Sequence, residues 1–495
     1  MGGAVDDTSS TTVVVIGAGP AGLTAAWELN RGGRQVTVLE ADAHYVGGIA
    51  RTVEVGGYRF DIGGHRFFSK SQTVLDLWRR MLPEEAWLRA VPRLSRIYYR
   101  GKFFDYPLDA RNALRNLGVL EATRCVGSYV WAKIRPPRKI ESFEDWVSAR
   151  FGRRLFEIFF RSYTEKVWGM RCDEISADWA AQRIKGLSLR SAVMNALGFG
   201  RGKSNGKTIK TLIDEFAYPR LGPGMLWEEV ARTLRSAGHR VLMDHRVSRL
   251  ELGQHGLVAV HTHRGERFVA DQFISTMPIR SLVTAFGPIV PVEVLDAAQS
   301  LRYRDFLTVA VVIEKSDLFP DTWLYIHDPA VRVGRIQNFG NWSAAMVPSA
   351  GCSSLGLEYF CNEGDDVWSM DDQALGELAV EELRQIGLIG GEAVRQTAVV
   401  RMRKAYPVYD DDYQQNVQTV RDWISQVAPN VQLVGRNGMH MYNNQDHSML
   451  AAYLAARNIL GESWDPWLVN ADAEYHEDGH SDQAGRLVPR PIAKN

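Results

Sequence analysis

Gly17, Gly19 and Gly22 form a G-x-G-x-x-G turn in which Pro20 and Ala21 fill the two places before the last glycine. In such a turn the first glycine permits a tight reversal, the second lets backbone approach a pyrophosphate, and the third lets helix and strand pack closely. Free N–H groups at the helix start, aided by the helix dipole, then face phosphate oxygens. Glu40 lies 18 residues past Gly22, near the usual ~20-residue offset of a carboxylate that accepts from a ribose hydroxyl. The chemistry is dinucleotide binding; the alternative is a plain structural turn.

The elements needed to position these groups are present in order. A β-branched run over 11–16 precedes the turn, Ala21 to Asn30 reads as helix, and Gln35 to Leu39 reads as a second strand ending at Glu40. Paired glycines follow at Gly47-Gly48, with Arg51 close behind, and again at Gly56-Gly57 and Gly63-Gly64-His65. Such pairs mark positive φ or close backbone approach to a ligand. From about Ser71 to Glu215 the chain reads mainly as helix, with Gln72 to Met81, Phe143 to Phe160 and Ser176 to Ile184 as examples. Arg135-Pro136-Pro137-Arg138 interrupts this region as a surface connector. Gly206-Lys207-Thr208 matches the end of a phosphate loop, but Arg201 stands where that loop needs glycine, so a loop without this role is expected.

From Gly222 an α/β pattern returns. Met225 to Ser236 reads as helix, and Arg240 to Met243, His245 to Leu252 and Leu257 to His263 read as strands. Phe273 to Pro278 reads as a strand entering a turn, and Thr308 to Ile313 and Ser354 to Phe360 as strands of a second sheet. Val431 to Val434, Gly435-Arg436 and a helix over Ser448 to Ile459 repeat the strand–glycine–helix order. The polar tail over 470–495, with His476 and His480, is expected to be disordered.

The chain has 495 residues, 45% apolar and 23% charged, with zero net charge. That length implies two or three domains. Charge balance argues against nucleic acid and against strong attraction to anionic membranes. No run approaches ~18 uninterrupted apolar residues, so no membrane span is expected. The start lacks a signal-peptide pattern, and Asp6 occupies the place where myristoylation wants Ser or Thr. Cys125, Cys172, Cys352 and Cys361 are dispersed, which fits a reduced cytoplasmic protein with no metal site.

Taken together, the turn, Glu40, Gly47-Gly48 and the late Gly435-Arg436 resemble the FAD-binding superfamily of amine oxidases, protoporphyrinogen oxidases and UDP-galactopyranose mutases. The resemblance implies an α/β protein with a Rossmann-like FAD-binding domain (GR2-type flavoprotein), a helical insertion and an antiparallel β-sheet substrate domain. Residues 1–70, 220–280 and 430–465 would form the discontinuous FAD domain. Residues 71–219 would be the mainly helical insertion, and 281–429 a mixed-sheet substrate domain. It also implies cofactor contacts from Gly17, Gly19, Pro20, Ala21, Gly22, Glu40, Gly47, Gly48, Arg51, His65, Val247, Gly435, Arg436 and Asp446. Val247 would meet the adenine through its backbone.

Five segments resemble the pyranose–furanose mutase branch more narrowly. They are Gly63 to Phe68, Tyr163 to Gly169, Val333 to Ile336, Ala405 to Val408, and Gly435-Arg436 with Tyr442 to Asp446. The resemblance implies that Tyr163 stacks on a base, Trp168 lines a sugar, and Arg335 and Arg183 clamp a diphosphate. Tyr406 and Tyr442 would donate phenolic hydrogen bonds to the same phosphates. Arginine's planar fork suits phosphate, and such donors would stabilise a leaving diphosphate. Each residue also has a structural reading. The aromatics can be core, the arginines surface ion pairs, Tyr406 a turn seal before Pro407, and His65 a turn cap in place of a group beside the flavin. The chain departs from the mutase pattern at Phe68, Val167, Ala405 and Asn443.

The function so implied is an FAD-dependent isomerase that interconverts pyranose and furanose forms of a nucleotide-diphosphate sugar through a flavin N5 adduct, with reduced FAD as the active form. His65, Arg335, Tyr406 and Tyr442 would be its catalytic groups. Two alternatives stay open. One is an FAD-dependent oxidase or dehydrogenase of an amine, porphyrinogen-like or polyprenyl-type substrate, because the same fold serves both. The other is a non-enzymatic flavoprotein that scaffolds a partner. The oligomeric state is open.

Overall fold

The protein is described by a computed structural model covering residues 11–106, 110–137, 139–177 and 215–469. Arg183, most of the expected helix Ser176 to Ile184, the Gly200 to Thr208 loop and the tail lie outside the described residues.

Strand Thr12–Ile16 is the centre of a five-stranded parallel sheet. Across that sheet run Val431–Leu433, Gln272–Ser275, Thr12–Ile16, Gln35–Leu39 and Arg240–Leu242. Val13, Val14, Val15, Val36 and Val38 are all buried, as expected of a parallel sheet covered on both faces. The first helix, Pro20–Arg31, packs along Gln445–Ile459 and against Gly224–Ser236. Early, middle and late parts of the chain thus close one layer.

A seven-stranded sheet forms the second layer. Its order is Val394–Pro407, Tyr303–Ile313, Ser353–Cys361, Arg335–Asn338, Trp323–Ile326, Ser95–Tyr99 and Lys102–Asp105. All its pairs are antiparallel except Trp323–Ile326 with Ser95–Tyr99. The last two strands come from the stretch read as mainly helical. They are joined by Arg100-Gly101, both at positive φ (49° and 74°), the geometry of a two-residue hairpin turn. Arg-Gly carries that turn more weakly than Asn-Gly, so the hairpin was not apparent.

The single helix expected over Phe143 to Phe160 is broken. Phe143–Phe151 ends at Gly152, whose φ is +83° and where a Cβ would lie 2.6 Å from the Tyr129 nitrogen. A short turn, Arg153–Phe156, and a π-helical turn, Glu157–Arg161, follow before Ser162–Trp168. The wider π turn shifts the helical register just ahead of Tyr163 and Trp168.

Among the described residues no helix is long and apolar enough to cross a membrane. The four cysteines are free and buried.

Candidate active site

The first sheet builds a cradle from backbone. Gly17 has φ +98°, and a Cβ there would strike the Thr276 hydroxyl. A Cβ on Gly22 would lie 1.9 Å from the Gly17 carbonyl oxygen, so this glycine is required by the fold itself. Gly19 differs: a Cβ there would meet only the Gly48 Cα, 4.0 Å away. Among the described residues nothing forbids a side chain at 19, so the glycine there fits close approach of a ligand to the backbone at the helix start. Gly19 is also the N-cap of Pro20–Arg31 and offers no side-chain cap, so the first helical N–H groups are left for an anion.

Glu40 is half-buried just past the end of its strand. The Ala18 N–H donates to its Oε2 at 2.6 Å and the Asp42 N–H to its Oε1 at 2.9 Å. Burial raises its pKa against the pull of these donors. Arg51 is tied to Asp42 at 2.5 Å, and its buried Nε has no partner among the described residues. Val247 is buried in the core beside Val14 and Leu39, so only its backbone could meet a ligand. Asp446 opens the helix Gln445–Ile459 and accepts from the Ser69 hydroxyl at 3.0 Å.

His65 follows the Gly63-Gly64 turn, where a Cβ on Gly64 would run into the Trp323 ring at 2.0 Å. Its Nε2 lies 2.8 Å from the Ile49 carbonyl and 3.0 Å from that of Ile62. Two carbonyl acceptors require Nε2 to carry the proton, which leaves Nδ1 the acceptor of a neutral ring. Burial, with the positive charges of Arg436 and Arg335, holds its pKa down at about 4.

The second sheet supplies side chains. Arg335 stands directly across from Tyr325 on one neighbouring strand and Glu358 on the other. Its guanidinium pairs with the Glu358 carboxylate. The same group lies 5.0 Å from the Trp323 ring centre and 4.7 Å from that of Phe360. Its Nη2 donates to the Tyr406 hydroxyl at 3.0 Å, and its buried Nε has no partner among the described residues. Burial is the largest influence and opposes the charge, but Glu358 together with Tyr406, Tyr163 and Tyr442 outweighs it and raises the arginine's pKa. Glu358 is itself raised by burial, despite Arg335 and a 2.8 Å hydrogen bond from Gln337.

Tyr406 and Tyr442 stack with centres 5.5 Å apart and planes 15° from parallel. Arg436 lies against both rings, 5.2 Å and 5.0 Å from their centres. It donates to the carbonyls of Ala405 at 3.1 Å and Asn443 at 2.9 Å, fixing the backbone on either side of the pair. Trp168 packs 6.2 Å from Tyr442. Helix Ser162–Trp168 is held by buried Arg304, which donates to the carbonyls of Val167 at 3.1 Å and Phe360 at 2.8 Å. Lys166 pins the same helix to three carbonyls, those of Ile326, Asp328 and Val333. Burial lowers its pKa to about 8.

The structure therefore brings Arg335, Tyr406, Tyr442, Trp168 and Arg436 into one aromatic box. Tyr163 sits to one side: its ring is parallel to His327 at 4.6 Å and edge-on to Tyr325 at 5.7 Å. One of its faces is thus already covered. The sequence reading missed Glu358, Arg304 and Lys166. A signal for Glu358 existed, since a lone carboxylate in the apolar strand Ser353–Cys361 implies a buried partner.

This parallel sheet, with its glycine-rich turn leading into the first helix, defines an α/β protein with a dinucleotide-type cradle. The chain belongs to the flavin containing amine oxidoreductase family, whose model matches residues 20–460, and FAD is its cofactor. A solved structure of reduced UDP-galactopyranose mutase is 23% identical with a TM-score of 0.79, and the match covers 91% of this chain and 94% of that one. Coproporphyrinogen III oxidase of Propionibacterium freudenreichii subsp. freudenreichii is 22% identical over 469 residues, covering 87% of each chain. The L-glutamate oxidase precursor of Streptomyces viridosporus is 55% identical, but over 51 residues that make up 10% of this chain and 8% of that protein.

Proposed function

We propose that this enzyme interconverts ring forms of a nucleotide-diphosphate sugar. The observation that carries the reading is the convergence of Arg335, Tyr406 and Tyr442, three residues distant in sequence, at one box. The backbone left bare at Gly19, the helix start and the buried Arg51 Nε fit the phosphates of FAD. Bound FAD supplies the bond-making and electron chemistry, and the chain supplies position and charge.

Each residue then has a task. Arg335 donates to the Tyr406 oxygen, which leaves the phenolic proton to point at a substrate oxygen. Tyr442, held parallel by Arg436, presents the second hydroxyl. Arg335 and the two phenols would stabilise charge on a departing diphosphate, and Trp168 would wall the sugar. His65, neutral with Nε2 committed to backbone, would accept a hydrogen bond through Nδ1. Arg183 remains part of the proposal as a second clamp.

A specific observation favours a second reading, an oxidoreductase acting on an amine, porphyrinogen-like or polyprenyl-type substrate. Glu358 already neutralises Arg335, and the box walls are aromatic. A substrate without a diphosphate would suit them.

The test is to reduce the FAD-loaded protein anaerobically with dithionite and add a panel of nucleotide-diphosphate sugars, with products followed by NMR. Ring interconversion without net oxidation, lost in Arg335→Ala, is expected. No reaction with any sugar, together with bleaching of the oxidised flavin by an amine, alcohol or porphyrinogen, would overturn the isomerase in favour of the second reading.

A further inference from the structure

Helix Val119–Ile134 turns one face inward and leaves the other bare. Ala122 and Cys125 are buried, and Cys125 packs with Ile97, Phe104, Ile158 and Phe159. On the outer face Val119 is 83% exposed, Leu120 81%, Trp131 62% and Ile134 72%, and Val126 and Val130 are also exposed. These positions recur at helical spacing, so they form one stripe and are not scattered singles. Among the described residues this is where large exposed apolar side chains concentrate.

Charge says what such a stripe fits. Between 110 and 140 the sequence carries Arg111, Arg115, Arg124, Lys133, Arg135, Arg138 and Lys139 against Glu121 alone. Arg115, Arg124, Lys133, Arg135 and Lys139 are exposed. Two local acids absorb part of this charge: Arg124 lies 3.4 Å from Glu121, and Lys139 lies 3.3 Å from Glu141. Lys133 bends to the Ala149 carbonyl at 3.1 Å. The excess stays positive, although the whole chain is neutral. The zero net charge, read above as arguing against anionic membranes, hides this local concentration.

We propose that the outer face of helix Val119–Ile134 docks this protein onto a bilayer surface bearing anionic lipid headgroups. The combination of apolar stripe, tryptophan and basic flank is the recipe for a helix lying in the interfacial plane. Apolar side chains enter the headgroup boundary while Lys and Arg meet phosphate, each cation adding attraction that falls off within a Debye length. Hydrophobic and ionic attraction act together, and neither requires a spanning segment. The assignment does not depend on which reaction the aromatic box performs.

The test is co-sedimentation of the FAD-loaded full chain with vesicles of phosphatidylcholine alone or mixed with phosphatidylglycerol, at about 0.1 and about 0.5 M salt. Binding to the mixed vesicles, weakened by salt, is expected. Trp131→Ser/Ile134→Ser and, separately, Arg135→Glu/Lys139→Glu should each lower the partition coefficient by about tenfold or more. Unchanged flavin absorbance and melting would show that both variants remain folded. Failure to pellet with the mixed vesicles overturns the proposal, as does equal binding to both vesicle types or unchanged binding by both variants. A dimer that Trp131→Ser/Ile134→Ser converts to monomer, with neither form binding vesicles, makes the face a self-contact and also overturns it.

Discussion

The cradle and the aromatic box are built on opposite principles. In the cradle the decisive groups are backbone: glycines at 17, 19, 22 and 48, helix N–H groups, and a strand end that places Glu40. In the box they are side chains, contributed by segments near 168, 335, 358, 406 and 442. Backbone sites depend on what is absent, a Cβ. Side-chain sites depend on mutual compensation, here Arg335 against Glu358 and Arg436 against two tyrosine rings. The first kind is damaged by adding atoms and the second by removing them.

The sharpest way to break the contrast is to remove a compensating charge. Glu358→Ala leaves Arg335 buried beside two aromatic rings without its anion, and is expected to cost about 3–5 kcal/mol. Equilibrium unfolding in denaturant measures it, and a loss below about 1 kcal/mol would mean that water or another group serves the arginine. The cradle should respond differently to its two glycines. Gly22→Ala, facing the Gly17 carbonyl, is expected to destabilise by about 1–3 kcal/mol or more. Gly19→Ala should leave the melting of the FAD-free protein nearly unchanged while weakening FAD binding severely, as read by flavin fluorescence on titration. If Gly19→Ala retained FAD, the cradle would not be where the cofactor's phosphates lie.

Legibility in the sequence divides along the same line. The βαβ cradle was readable because its signals are local: a β-branched run, a glycine spacing, a helix and an acid at a fixed offset. The five-stranded sheet's late return through Val431–Leu433 was readable for the same reason. The box was readable only as a resemblance. No spacing rule connects Arg335 to Glu358, which meet because two antiparallel strands place them opposite one another. Arg304 and Lys166 were missed for that reason, since their partners are main-chain carbonyls of remote segments. The Ser95 to Asp105 hairpin was missed because its strands are short and its turn is Arg-Gly.

Smaller effects sharpen the comparison further. Tyr406→Phe removes the acceptor of the Arg335 hydrogen bond, and a loss of about 1 kcal/mol in stability is expected. A larger loss in turnover than in stability would support the proposed role of the hydroxyl. Two titratable groups should respond to pH with opposite sign. Asp61 is fully buried, accepts from Thr52 at 2.8 Å and from the Tyr218 hydroxyl, and has its pKa raised by burial from 3.8 to about 7. A raised carboxyl contributes stability that is complete below its unfolded pKa and is lost as pH rises through the folded one. The denaturation midpoint should therefore fall between about pH 4 and about pH 7, and Asp61→Asn should flatten that slope. For His65 the sign reverses. His65, lowered from 6.5 to about 4, contributes stability that is present above 6.5 and lost as pH falls toward 4. His65→Gln should reduce that acid-side loss.

Gly435 and Arg436 are consecutive residues, and they touch both regions. Gly435 adopts φ +80°, with its Cα so close to the first helix that a Cβ would lie 3.0 Å from the Ala21 Cβ. Its neighbour holds the carbonyls flanking Tyr406 and Tyr442. One peptide bond therefore acts as a ruler between the glycine cradle and the aromatic box. Its length is set by covalent geometry and does not breathe with side-chain packing.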